Sequence, residues 1–120
     1  MYDIVLYEDA RGNSPVQDLL DELDSKAQYE KNARIQLRQI MFYLEILKGS
    51  GTRIGEPYTK HIKEEIWELR PGHNRILFFA WKGDTFILLH AFRKTSRKTP
   101  PCEIEKADRE KQDWVSRIGD

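Results

Sequence analysis

The chain has little sulfur and little charge imbalance. Among 120 residues there is one cysteine, Cys102, which excludes an intrachain disulfide and suits a reducing compartment. No apolar run approaches the roughly 20 residues that a membrane-crossing helix needs. The start, MYDIVLYED, is short and acidic and does not read as a signal peptide. The sequence thus predicts a soluble cytoplasmic protein with no membrane association. No spacing of His, Cys, Asp and Glu resembles a metal site, so no metal is expected. Net charge is formally zero, from 20 basic and 20 acidic residues, which argues against a wholly basic binder.

What is present is segregated charge and a fair aromatic supply. Between Lys48 and Lys98 there are 11 Lys/Arg against 5 Asp/Glu, while Arg11 is the one basic residue before Asp24. A neutral total therefore leaves room for a phosphate-binding face. Five Phe, five Tyr and three Trp can furnish a small core, and 120 residues imply a single domain over 1–120.

The elements follow from periodicity. Tyr2 to Tyr7 (YDIVLY) reads as a strand. Ser14-Pro15 is a helix start, with Ser14 as N-cap, and Val16, Leu19, Leu20 and Leu23 keep helical spacing. Asp24-Ser25 reads as a break, with Ser25 capping a second helix over Lys26 to Leu47. That helix carries an apolar stripe through Ala33, Leu37, Ile40, Met41, Leu44 and Leu47. Thr52 to Glu64 reads as a basic loop. Three β-type runs follow: Ile66 to Arg70, Arg75 to Lys82, and Thr85 to Lys94. Pro101 to Gly119 reads as a final, mostly polar helix with Ile104, Ala107, Trp114 and Ile118 on its apolar side. The expected fold class is α+β: an N-terminal strand, a helical hairpin packed on a small twisted antiparallel β-sheet, and a C-terminal helix.

Taking Gly83-Asp84 as a two-residue turn and Pro71 to Asn74 as a loop sets a register. Arg75 then faces Phe92, Leu77 faces His90, Glu68 faces Leu77 and Arg70 faces Arg75. One face collects Trp67, Leu69, Ile76 and Phe78 with Ala80, Ile87, Leu89 and Ala91. The other collects Ile66, Phe79, Trp81, Phe86 and Leu88 at one end, and Glu68, Arg70, Arg75, His90, Phe92 and Lys94 at the other. Like charges side by side on a sheet are unfavourable unless an anion visits. The bland alternatives are a surface ion pair for Glu68–Arg70, a satisfied histidine for His90, and a solvated charge run for RKTSRK.

The runs IWELR, NRILFF, FILLHAFRKTSRKTP and EIEKA, with SPV before the first helix and the segment GEPYTKHI, resemble RelE/HigB-type toxins of bacterial type II toxin–antitoxin pairs. The likeness is strongest to the phage-related HigB-like branch and covers nearly the whole chain. It implies a metal-free and cofactor-free endoribonuclease that cuts mRNA, commonly on the translating ribosome. It also implies a cognate antitoxin, expected to be of helix-turn-helix type. Carried over, Arg70, Arg75 and Lys94 match basic active-site positions, and His90 and Arg93 lie where members differ. The C-terminal tyrosine of some relatives has no counterpart, since no Tyr follows Tyr58.

For the chemistry, His90 is the expected base or acid, Glu68 a second candidate base, and Arg70 and Arg75 a bidentate phosphate clamp. Lys94 would stabilise the leaving side, and Phe92 would stack on a base. Lys60, Lys63, Arg93, Arg97 and Lys98 would contact flanking RNA. Two other classes fit the same residues: a same-fold toxin that inhibits gyrase without cutting RNA, and a non-enzymatic basic binding module.

Overall fold

A computed structural model describes residues 1–119. In chain order the elements are β1 (Asp3–Leu6), α1 (Pro15–Ala27), α2 (Lys31–Ser50), a short 3-10 turn, β2 (Thr59–Lys63), β3 (Ile66–Leu69), β4 (Asn74–Trp81), β5 (Thr85–Arg93) and α3 (Pro101–Ile118). The five strands form one sheet in the order β1-β5-β4-β3-β2. The expected α+β class and element order hold, with two additions. The sheet is mixed, because β1 runs parallel to β5. Residues 59–63, expected in a loop, form an antiparallel edge strand on β3.

Local chemistry sets the element ends. Ser14 accepts a hydrogen bond from Gln17 N and is itself buried, and Pro15 opens α1. Asp24-Ser25 does not break the helix. Asp24 and Ser25 are both exposed, so no buried polar group penalises them, and α1 continues to Ala27. The reversal falls at 28–30, and Glu30, which makes no side-chain cap, precedes α2. Helix α2 ends at Gly51, with φ of 64°. A Cβ there would lie 2.8 Å from the Tyr2 ring, so both conformation and space require glycine.

Helices α1 and α2 cover one sheet face through Val16, Leu23, Ile40 and Leu47 against Phe78 and Leu88. Helix α3 covers part of the other through Ala107, with Tyr7, Ile66, Leu77, Phe79 and Ile87 beneath it. Each Phe or Leu so buried contributes about 2 kcal/mol.

The expected face assignment is half right. Arg75↔Phe92, Leu77↔His90 and Glu68↔Leu77 are paired as expected. Beyond them the turn takes three residues, Lys82 to Asp84, so that Trp81 pairs with Thr85. Lys82 and Gly83 both adopt positive φ there. The register therefore starts one residue off and is restored by a bulge that leaves Leu89 unpaired between Leu88 and His90. Upstream of the bulge the faces are exchanged. Phe86 and Leu88 pack under the helical hairpin, Ile87 and Leu89 lie on the α3 side, and Ala80 is exposed. Helix α3 ends with Ile118 half exposed, whereas Val115, which the sequence pattern passed over, packs against the core.

Candidate functional site

The ends of β3, β4 and β5 on the α3 side carry the polar side chains. One cross-strand row runs Lys60, Glu68, Leu77, His90. The next pairs Arg75 with Phe92, and Arg70 follows β3, its backbone N–H donating to Tyr58 O at 3.0 Å. Residues 94–100 then fold back over these strand ends. Lys94 N donates to His73 O at 2.7 Å, and Thr99 Oγ1 donates to Glu68 Oε2 at 2.6 Å. A crevice results, lined by Glu68, Arg75, Phe92, Lys94, Arg97 and Thr99 among others.

Glu68 is the pivot. It is 2 % exposed, and its Oε1 lies 3.4 Å from Arg70 Nε and 3.8 Å from Arg75 Nε. A buried carboxylate is tolerated only when paired and hydrogen-bonded, and here two guanidiniums and a hydroxyl meet that need. Arg75 is itself buried. Its Nη1 donates to Gly72 O at 2.7 Å and to Asn74 O at 2.9 Å. Burial lowers the Arg75 pKa, as does the Arg70 charge, while Glu68 opposes the shift. Arg70 also donates from Nη1 to Glu56 Oε1 at 2.8 Å, but its buried Nε makes no hydrogen bond among the described residues. The like-charge pair foreseen on the strands is thus held together by one shared carboxylate.

The remaining cations separate into two groups. Lys94, Arg97 and Lys98 are exposed around the crevice, and Lys60 sits on β2 directly opposite Glu68. Arg93 is not part of this group. It pairs with Asn74, and its Nη1 donates to Gln36 Oε1 at 2.9 Å, on the helical-hairpin side. Lys63 lies past a bulge in β2, opposite Ile66, at the far end of that strand from Lys60.

His90 is drawn toward α3. Its Nε2 lies 3.0 Å from Glu103 Oε1 and its Nδ1 lies 3.7 Å from Glu110 Oε1. Phe92, the cross-strand partner of Arg75, has its ring stacked on the His90 imidazole at 6.2 Å between centroids. Burial raises the Glu110 carboxyl to about 7, with Lys106 and Arg109 opposing. Nearby, Tyr7 Oη donates to Asp113 Oδ2 at 2.6 Å, and burial and that bond raise the phenol to about 12. The sequence reading missed these partners. Glu103, Ala107, Glu110 and Trp114 do share one helical stripe, so the side of α3 facing the sheet was readable. Thr99 and Glu56 had no such signal, because each reaches the site from a loop. Among the described residues no group of three or more His, Cys, Asp or Glu is placed to hold a metal ion.

A helical hairpin packed on a small, mostly antiparallel sheet is the fold that the RelE/HigB-type resemblance implies. Residues 18–112 match the family described as "Phage derived protein Gp49-like (DUF891)". Two curated relatives, from Mycobacterium tuberculosis strains CDC 1551 / Oshkosh and ATCC 25618 / H37Rv, are each named "Probable endoribonuclease HigB1". Each is 32 % identical over 99 residues, covering 82 % of this chain and 75 % of the relative. The chain belongs to the Gp49-like, RelE/HigB-type family.

Proposed function

We propose that this protein is the toxin of a type II toxin–antitoxin pair and acts as a metal-independent endoribonuclease on mRNA. The working setting is the translating ribosome in the cytoplasm, and a cognate antitoxin, expected to be of helix-turn-helix type, neutralises it. The observation that carries the reading is the buried Glu68, which holds Arg70 and Arg75 at the foot of the exposed segment Lys94–Lys98. The name borne by the relatives supports the same chemistry.

In the reaction the ribose 2′-oxygen attacks the adjacent phosphorus. The bond to the 5′-oxygen breaks, leaving a 2′,3′-cyclic phosphate and a 5′-hydroxyl. Negative charge grows on the non-bridging oxygens, where Arg70 and Arg75 stabilise it. Both Glu68 oxygens are engaged by Thr99 and the arginines, so its role is to position the guanidiniums rather than to take the proton. Lys94 stabilises the leaving oxygen. His90, oriented by Glu103 at its Nε2, carries the proton from the attacking 2′-hydroxyl to the leaving 5′-oxygen. Phe92 offers a stacking surface to a base, and Lys60, Arg97 and Lys98 hold flanking phosphates. Lys63 and Arg93 serve longer RNA or ribosomal RNA.

End-labelled mRNA incubated with the purified chain, with programmed ribosomes and, in a separate ribosome-free arm, with and without a chelator, tests this. Cuts ending in cyclic phosphate are expected, weakened at least a hundredfold by Arg75→Ala and by Lys94→Ala. Full cleavage by Arg70→Ala, Arg75→Ala and Lys94→Ala alike would place the site elsewhere.

A further inference from the structure

The outer surface of the helical hairpin is built like one side of a helical bundle. Tyr29, Ile35, Met41 and Phe42 are 73, 51, 48 and 57 % exposed, and all fall within residues 29–42. Helix α2 turns Ala33, Ile40 and Leu47 inward, so Ile35 and Phe42 face outward. With Lys31, Arg38 and Glu45 they make an exposed 4-3-4-3 seam, the spacing by which one helix packs along another. Helix α1 shows the same spacing in Gln17, Asp21 and Asp24, all exposed. The two seams differ in sign. That of α2 carries the cations Lys31 and Arg38 between apolar residues, with Glu45 at its far end and Arg34 beside it, the Arg34 Nη1 donating to Ala27 O at 2.8 Å, and that of α1 is acidic.

We infer that this face docks a second copy of the chain, about a two-fold axis parallel to the helix pair. Such an axis lays α1 of one copy antiparallel on α2 of the other and keeps every residue at its own height along the axis. At about 1.5 Å per residue counted out from Tyr29, Asp24 is level with Arg34, and Asp21 lies one residue's rise from Arg38, within reach of its long side chain. The acidic row of each copy therefore meets the basic row of its partner, twice over. An acidic partner covering the whole face would be repelled by α1, and a basic one by α2. A second copy satisfies both rows, and zero net charge imposes no long-range repulsion between copies. The sheet separates this face from the Glu68–Arg75 crevice, so association leaves both crevices open.

Sedimentation of the purified chain over a wide concentration range tests the inference. A species of twice the 14.2 kDa chain mass is expected, weakening as salt rises. Arg38→Asp and Asp21→Arg should each give monomers with unchanged circular dichroism, and the double variant should dimerise again. Phe42→Glu should also be monomeric. A wild-type chain that is monomeric throughout, a dimer untouched by these substitutions, or a double variant that stays monomeric would overturn the assignment. Should Phe42→Glu fail to fold, the charge exchange decides alone.

Discussion

Glu68 and Lys94 lie in the same crevice and should respond oppositely to substitution. Removing the Glu68 carboxylate leaves two guanidiniums facing each other in a dry setting. Glu68→Ala should cost roughly 3 kcal/mol in chemical denaturation. Lys94 is exposed, so Lys94→Ala should shift stability by less than about 0.5 kcal/mol while removing cleavage. Glu110 makes a pH prediction. Its folded pKa of about 7 stands above the unfolded value of about 4.3. The folded protein thus holds a proton that the unfolded chain has released, and the group's contribution falls as pH rises across that window. Glu110→Gln should accordingly gain thermal stability over wild type at pH 8 and much less at pH 5. An equal difference at both pH values would show that Glu110 is not the group responsible. Arg70, Arg75 and Lys94 were legible as a group because strand alternation brought them to one face. The carboxylate shared by the two arginines was legible too, but not its burial, which depends on Thr99 returning from a loop.

At the level of elements, two kinds of boundary behaved differently. Ser14-Pro15 acted as read, because capping is local chemistry. Ser14→Ala should cost about 1 kcal/mol of stability by denaturant titration, since it frees the Gln17 amide. The break at Asp24-Ser25 was misplaced because solvent-facing polar residues do not end a helix that is held by packing on its other side. The β4–β5 turn shows the same limit. A two-residue and a three-residue turn are both compatible with Lys82-Gly83-Asp84, and a one-residue difference exchanges sheet faces. The bulge at Leu89 then cancels the difference, which is why Arg75↔Phe92 and Leu77↔His90 pair as expected despite a wrong turn. Strand β2 escaped notice because Lys60, His61 and Lys63 are exposed on an edge, where strand pairing needs no apolar pattern.

For the molecule as a whole, charge is laid out by layer rather than by total. The α3 side carries the basic crevice, and the hairpin side carries opposed rows that cancel. RNA binding should therefore show a steep salt dependence despite zero net charge. Neutralising Arg97 and Lys98 by alanine should each reduce the slope of log affinity against log salt by about 0.7, measured by fluorescence anisotropy on a single-stranded RNA. Equal slopes for wild type and variants would exclude phosphate contact by that segment. The layer order was partly legible: periodicity showed two helices on one face, while the position of α3 depended on which face Ile87 and Leu89 occupied.

The pairing of β1 with β5 has a consequence in time. Asp3 finds its neighbour at Thr85, so the first strand to be made waits for one made 82 residues later. At about 5–20 residues per second the interval is some 4–16 s, during which β1 has no partner. The Thr99 clasp on Glu68 and the helix over His90 come later still. A growing chain therefore carries its cations without the scaffold that aligns them. Alignment of those cations therefore waits on residues made well after β1, which gives any partner that binds the early chain a head start over the finished fold.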